Sequence, residues 1–198
     1  GSVDGTAKRI GLFEKRYPGH IKPIYLDRNT GTTYSRNLAL RKVTGKYILI
    51  MDSDVEVPPG SIGGLISSLD RHSDAGIVAP RLIYPSGKLQ KSTDAFPTVL
   101  SKAYRYFFLR SIENREANEE AHTSVREVDY AISAVWALRA SLLKDVGLLD
   151  ENIFYAPEDV DYCIRTWKAG YRVLFDPSVT FIHHTQEISR GLKVNAAT

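Results

Sequence analysis

Tyr47-Ile48-Leu49-Ile50-Met51-Asp52-Ser53-Asp54 decides the reading of this chain, because an apolar run ends abruptly in two carboxylates two positions apart. A short, continuously apolar run, rather than an alternating one, predicts a strand buried on both faces of an α/β sheet. Asp52 is then the point where the strand meets solvent. Ligands bind at the carboxyl edge of such sheets, and two hard carboxylate oxygens there can hold Mg²⁺ or Mn²⁺ against a diphosphate. The same spacing is what a solvated turn displays, so neighbouring segments have to arbitrate.

Upstream of this run, residues 21–26 predict a strand. Residues 33–44 predict a helix with Leu38, Ala39 and Val43 on its buried face and Gly45 as its stop. Downstream, Pro58-Pro59-Gly60 leads to Ser61 as the cap of a helix whose Ile62, Leu65, Ile66 and Leu69 recur at the helical period. Residues 75–82 read as the next strand, Pro85-Ser86-Gly87 as a turn, and Lys88 onward as a hairpin return. This alternation predicts an α/β fold with a mostly parallel sheet flanked by helices.

The middle of the chain changes character. Residues 102–110 interleave Tyr104, Tyr106, Phe107 and Phe108 with bases, which suits an amphipathic helix, and residues 111–127 read as a mobile charged loop. Residues 128–138 resume as a strand, 140–146 as a short helix ended by Gly147, and 173–175 and 179–182 as late strands.

A length of 198 residues with 43% hydrophobic content suits a single domain over 1–198 that buries a sizeable core. The 26 basic and 23 acidic residues are interspersed, so the net charge of +3 marks mixed solvated faces and no nucleic-acid footprint. Cys163 is alone, which excludes an intrachain disulfide and a cysteine zinc cluster and suits a reducing, cytoplasmic setting. The apolar runs are too short to span a bilayer. Peripheral contact at the inner face of a membrane, through the aromatic and basic stretch 102–110, remains open beside simple burial of that stretch.

A second acidic cluster, Pro157-Glu158-Asp159-Val160-Asp161, opens a predicted helix carrying Val160, Cys163, Ile164 and Trp167 on one face, with Gly170 as its stop. Acids in a first turn complement the helix dipole, and Asp161 is spaced to pair with Arg165. Three acids in four residues exceed that need. The preceding Phe154-Tyr155-Ala156 loop can place one of them in a cleft as a general base. His183 and His184 end a strand and must face opposite sides, so one at most joins the aspartates as a metal ligand. Arg190 can reach a phosphate or stay solvated, and Trp136 can stack on a sugar or pack in the core.

Taken in order, these motifs resemble the family 2 glycosyltransferases, in particular the rhamnosyltransferase-like branch. The resemblance runs from Gly1-Ser2-Val3-Asp4-Gly5-Thr6, similar to the tail of that family's Asn-Gly-Ser-X-Asp-Gly-Thr turn, through Gly31, Arg36-Asn37 and the Asp-X-Asp motif at Asp52-Ser53-Asp54. It continues with Arg139, Val146-Gly147-Leu148-Leu149-Asp150-Glu151, Pro157-Glu158-Asp159-Val160-Asp161, His183-His184 and Ser189-Arg190-Gly191.

The resemblance implies a glycosyltransferase-A fold, Rossmann-like, and inverting transfer from a nucleotide-sugar donor to a saccharide or lipid-linked saccharide acceptor of the cell envelope. It implies Asp54 as metal ligand, Asp52 near the ribose or metal, and His183 as a further ligand of Mg²⁺ or Mn²⁺. It places Arg36 and Arg190 on the donor, Glu158 and Trp136 on substrate, and Asp159 as the base.

Two features depart from the family pattern. The strand and helix that precede the Gly-Ser-X-Asp-Gly-Thr turn, with their contacts to the nucleotide base, are not among these 198 residues, so the expected fold is an N-terminally truncated one and a homo-oligomer could complete the site. Ser133 stands where the family usually has glycine. The alternative reading is a non-catalytic core that binds metal or sugar without turnover. A nucleotidyltransferase is disfavoured, since no Gly-rich, Lys-containing phosphate loop opens the chain.

Overall fold

In the computed structural model, which describes residues 2–96 and 124–184, the opening run forms strand β1 (Tyr47–Met51) and leads through the aspartate triplet into a short β2 (Val55–Glu56). Helices α1 (Thr6–Arg16) and α2 (Thr32–Leu40) precede it. After it come α3 (Ser61–Arg71), β3 (Ala75–Ile83), β4 (Leu89–Gln90) and β5 (Thr93–Asp94). The chain continues through β6 (Arg126–Glu127), β7 (Tyr130–Ala131), β8 (Val135–Arg139), α4 (Leu142–Asp145), α5 (Glu158–Lys168) and β9 (Arg172–His183).

Among the described residues the main sheet runs in the order β1-β8-β3-β9-β2, with β4 beside β3 and β6 beside β9; β5 and β7 form a separate pair. The class is α/β, as the sequence indicates, but the sheet is mixed rather than mostly parallel. Only β3 and β9 pair in parallel among the described ladders. The reason is that β8 slots between β1 and β3, running against both. Strand order along the chain therefore says little about which strands touch in space.

Alternation along the strands divides the core between the two faces of the sheet. Ile48, Ile50, Ile77, Trp136, Leu138, Val173 and Phe175 face one side, where Leu40 of α2, Leu142 of α4 and Tyr162 and Cys163 of α5 cover them. Val78, Leu82, Val135, Ala137, Leu174 and Phe181 face the other, beneath Leu65 and Leu69 of α3. β1 itself is only half-buried, with Met51 40% exposed, because it lies at the end of the sheet and pairs with β8 alone among the described strands. Its continuous apolar run had suggested burial on both faces.

Other local expectations also change. Residues 21–26 form no strand: Pro23 offers no N–H to a ladder, and Ile24 and Tyr25 are exposed. Ser61 does not cap α3. Gly60 is the cap residue, and the Ser61 hydroxyl donates instead to the carbonyl of Thr180. Ile62 is exposed while Leu65 and Leu69 are fully buried. The two late strands are one, because Pro177, Ser178 and Val179 bulge out of β9 where its register against β3 shifts between Pro80 and Arg81. Within the stretch expected to be a loop, Arg126 and Glu127 form β6; residues 102–110 and 111–123 lie outside the described residues.

Helix α2 departs most from its predicted face. Val43 and Ala39 are exposed, and the buried positions are Thr33, Asn37 and Leu40. Polar bonding, not apolar packing, seats this helix. The Asn37 amide donates to the Leu149 carbonyl at 2.8 Å and to Glu151 Oε1 at 2.9 Å, and its oxygen accepts from the Leu149 N–H at 3.0 Å. Thr33 donates to the Ile153 carbonyl at 2.5 Å. The 149–153 segment is irregular, and its buried backbone groups need such partners. Replacing Asn37 with alanine strands a buried N–H and C=O, so urea unfolding of Asn37→Ala is expected to give a stability lower by about 2–4 kcal/mol. The denaturant slope should stay unchanged.

Candidate active site

The aspartate triplet is strung across the sheet by backbone hydrogen bonds. At one end the Asp52 N–H donates to the Ala134 carbonyl at 2.9 Å, extending the β1–β8 ladder, and at the other the His184 N–H donates to the Asp54 carbonyl at 2.8 Å. Val55 then lies opposite His183 in the β2–β9 ladder. This register brings His183 to the aspartates although 129 positions separate it from Asp54. One ligand atom each from Asp52, Asp54 and His183 lie within 4.8 Å of one another. Two carboxylate oxygens and an imidazole nitrogen at that separation form a donor set that fits a divalent ion such as Mn²⁺. His184 faces the other way, half-exposed, with Nε2 3.3 Å from Glu56, as strand alternation requires.

Arg36 of α2 reaches the same place. Its Nη2 donates to Asp52 Oδ1 at 2.5 Å and to the Ser133 carbonyl at 3.2 Å. Its Nη1 donates to Ser133 Oγ at 2.8 Å and lies 3.4 Å from Glu158 Oε1. Ser133 Oγ in turn donates to Glu158 Oε1 at 3.0 Å. One guanidinium thus bridges two carboxylates, a planar fork that lysine could not reproduce. Burial pushes the Asp52 carboxyl above its ordinary range, and Arg36 pulls against that rise.

A cavity of about 240 Å³ opens beside this network, walled by Arg36, Asp52, Ser133, Tyr155, Asp159 and His183. The three acids at the start of α5 have separated. Glu158 is buried at 5% exposure in the Arg36–Ser133 network, and both it and the less buried Asp159 line the cavity. Asp161 is held by Arg165 at 2.7 and 2.9 Å, the pairing its spacing suggests. The Asp159 carboxyl is pushed above its ordinary range by burial, against the Val160 N–H that donates to Oδ1 at 2.8 Å.

The loop before α5 is pinned from α2. The Thr32 N–H donates to the Phe154 carbonyl at 2.9 Å, and Gly31, at φ 84°, lies where any Cβ would collide with that carbonyl. Phe154 and Tyr155 are left 57% and 72% exposed, and Tyr155 lines the cavity.

Trp136 does not reach this cavity. It is fully buried, its indole N–H donates to the Ala131 carbonyl at 3.2 Å, and it stacks on Tyr162, so no ring face is open to a sugar. As an inward-pointing residue of β8, it had no other course once β8 took an interior place in the sheet. Arg190 lies outside the described residues. Cys163 is also enclosed, and burial pushes its thiol up to about 12, which leaves it unreactive.

Sequence reasoning noted Ser133 only as a departure and missed Gln90 and Tyr155. Ser133 was legible in one respect, since a hydroxyl replacing a glycine beside a cleft must find partners. Gln90, on a two-residue strand, carried no signal.

The profile of glycosyl transferase family 2 matches residues 1–147, nearly three-quarters of the length. The chain belongs to this family. Among curated relatives it is 28% identical over 199 aligned residues to the N-acetylglucosaminyl-diphospho-decaprenol L-rhamnosyltransferase of Mycobacterium tuberculosis, covering 93% of this chain and 64% of that one. It therefore spans a little under two thirds of that relative's length. Solved structures with the same fold include GalNAc-T7 with UDP, GalNAc and Mn²⁺, at TM-score 0.70 and 14% identity over 93% of this chain and 36% of that one. Another is the mannosyltransferase PcManGT of Pyrobaculum calidifontis with GDP-Man and Mn²⁺, at TM-score 0.62 and 19% identity over 96% and 46%. These place the architecture in the glycosyltransferase-A class.

The raised Asp159 pKa has a stability consequence. The folded chain holds this proton more tightly than the unfolded one, so stability present below the unfolded pKa is lost as pH rises through the folded value. Asp159→Asn removes that loss. Its thermal midpoint at neutral pH should exceed that of the unsubstituted protein, and the difference should close as pH falls into the ordinary aspartate range.

Proposed function

We propose that the chain is the catalytic core of an inverting glycosyltransferase that moves a sugar from a nucleoside-diphosphate donor to a hydroxyl of a saccharide or lipid-linked saccharide acceptor. The observation that carries this reading is the cavity lined by Asp52, His183 and the partly buried Asp159, with Asp54 completing the cluster beside Asp52 and His183. Family membership and the rhamnosyltransferase relative, whose name specifies a lipid-linked diphosphate sugar, support the same class of reaction.

In this mechanism Asp159 accepts the proton of the acceptor hydroxyl as its oxygen attacks the anomeric carbon. The bond from that carbon to the diphosphate oxygen breaks in the same displacement, and the configuration inverts. Asp54 and His183, with Asp52, would hold Mg²⁺ or Mn²⁺, which when bound supplies positive charge to the departing diphosphate. Arg36 bonds Asp52 and opposes the burial that raises its pKa, and Glu158 and Ser133 hold that guanidinium in place. Tyr155, exposed at the cavity mouth, offers an aromatic face to the acceptor. Among the described residues no helix is long and apolar enough to cross a membrane. A lipid-linked acceptor would be met through peripheral contact at the cytoplasmic face.

Asp159→Asn should lower turnover by about 10²–10⁴-fold, the span of general-base contributions, while calorimetry still detects the nucleotide with Mn²⁺. Turnover within tenfold of the unsubstituted protein, in order-of-magnitude terms, would remove Asp159 from the base role. Failure of UDP, GDP and dTDP all to bind with Mn²⁺ would point instead to a core without turnover.

A further inference from the structure

Gln90 does not line the cavity, yet it is only 9% exposed, and a buried side-chain amide is costly unless hydrogen-bonded. Its partner is His183: Gln90 Oε1 lies 3.0 Å from His183 Nδ1, and both residues are buried. The pairing follows from the sheet. β4 and β9 flank β3 at its far end, where Leu82 lies opposite Gln90 on one side and opposite Phe181 on the other.

A carbonyl oxygen only accepts, so Nδ1 carries the hydrogen and the lone pair of a neutral ring is on Nε2. That nitrogen lies 3.4 Å from Asp54 Oδ1, beyond good hydrogen-bond length. The two atoms are therefore placed as two electron-pair donors around a common centre rather than as a donor and an acceptor.

We propose that Gln90 is a positioning residue for the metal site, holding His183 in the Nδ1–H tautomer with Nε2 aimed at the space shared with Asp52 and Asp54. The inference rests on the metal reading of the proposed function and adds to it a residue outside the ligand set. Without the Gln90 acceptor, the Asp54 carboxylate 3.4 Å from Nε2 would compete for the hydrogen on that nitrogen, and no other described hydrogen bond fixes the ring about its χ2. Partners of this kind raise the basicity of the ligating nitrogen, and their loss typically weakens metal binding.

The test measures Mn²⁺ affinity by calorimetry and the His183 tautomer by ¹⁵N-resolved NMR, neither of which requires turnover. The unsubstituted protein should show the Nδ1–H form. Gln90→Leu should mix the tautomers and weaken Mn²⁺ binding by about 10–100-fold. Gln90→Glu should retain or exceed the original affinity, because a carboxylate accepts the Nδ1–H bond more strongly. That rescue separates positioning from simple packing, since the leucine and glutamate variants are of similar size. An Nε2–H tautomer in the unsubstituted protein, or equal Mn²⁺ affinity in Gln90→Leu, overturns the proposal while leaving the metal reading intact. Weak binding in Gln90→Glu also overturns it, because the amide would then have acted as a donor. An unsubstituted protein that binds no Mn²⁺ at all overturns the metal reading itself, and the proposal with it.

Discussion

Two backbone hydrogen bonds hold the centre of this molecule, one from Asp52 to Ala134 and one from His184 to Asp54. Together they stretch a three-residue segment from the end of β1 to the end of β9, across the carboxyl edge of the sheet. The candidate metal ligands are attached to that segment and its β9 anchor. The Ala134 anchor carries Ser133, which receives Arg36; the β9 anchor carries His183, which Gln90 steadies. A triplet that would be a solvated turn on its own is thereby fixed on both sides.

The electrostatics follow from crowding several carboxylates around one guanidinium. Arg36 bonds Asp52 and lies close to Glu158, with the Ser133 hydroxyl bridging them, so both carboxylates share one counter-charge, which opposes but does not cancel the burial of Asp52. Asp159 is not part of that network, and burial raises its pKa. Neighbouring acids therefore differ in kind: Glu158 is structural in its bonding, Asp159 is held in a state that favours taking a proton, and Asp161 is occupied by Arg165. Burial of an incompletely compensated acid is a cost to folding that active sites accept.

Helix α2 links these features to the loop before α5. Its Arg36 points to the aspartates while its Thr33 and Asn37 bond the 149–153 segment, and Gly31 allows the Phe154 carbonyl to approach. A helix seated by polar contacts defeats a prediction built on hydrophobic periodicity, which is why Leu38, Ala39 and Val43 were the wrong face. Trp136 fails for a related reason. An aromatic residue beside a cleft in sequence is a sugar platform only if its strand is not interior, and β8 lies between β1 and β3.

The sequence by itself determined the family, the α/β class, the strand that ends in Asp52-Ser53-Asp54, and the opposite facing of His183 and His184. Each of these depends on local order: motif spacing, apolar run length and strand alternation. Only the tertiary structure decided that the sheet is mixed, that Ser133 joins Arg36 to Glu158, and that Gln90 stands behind His183. Those depend on which strands neighbour one another and in what register. That pairing is made by backbone hydrogen bonds between residues as much as 130 positions apart, as from His184 to Asp54, and side-chain pattern within either segment does not encode it.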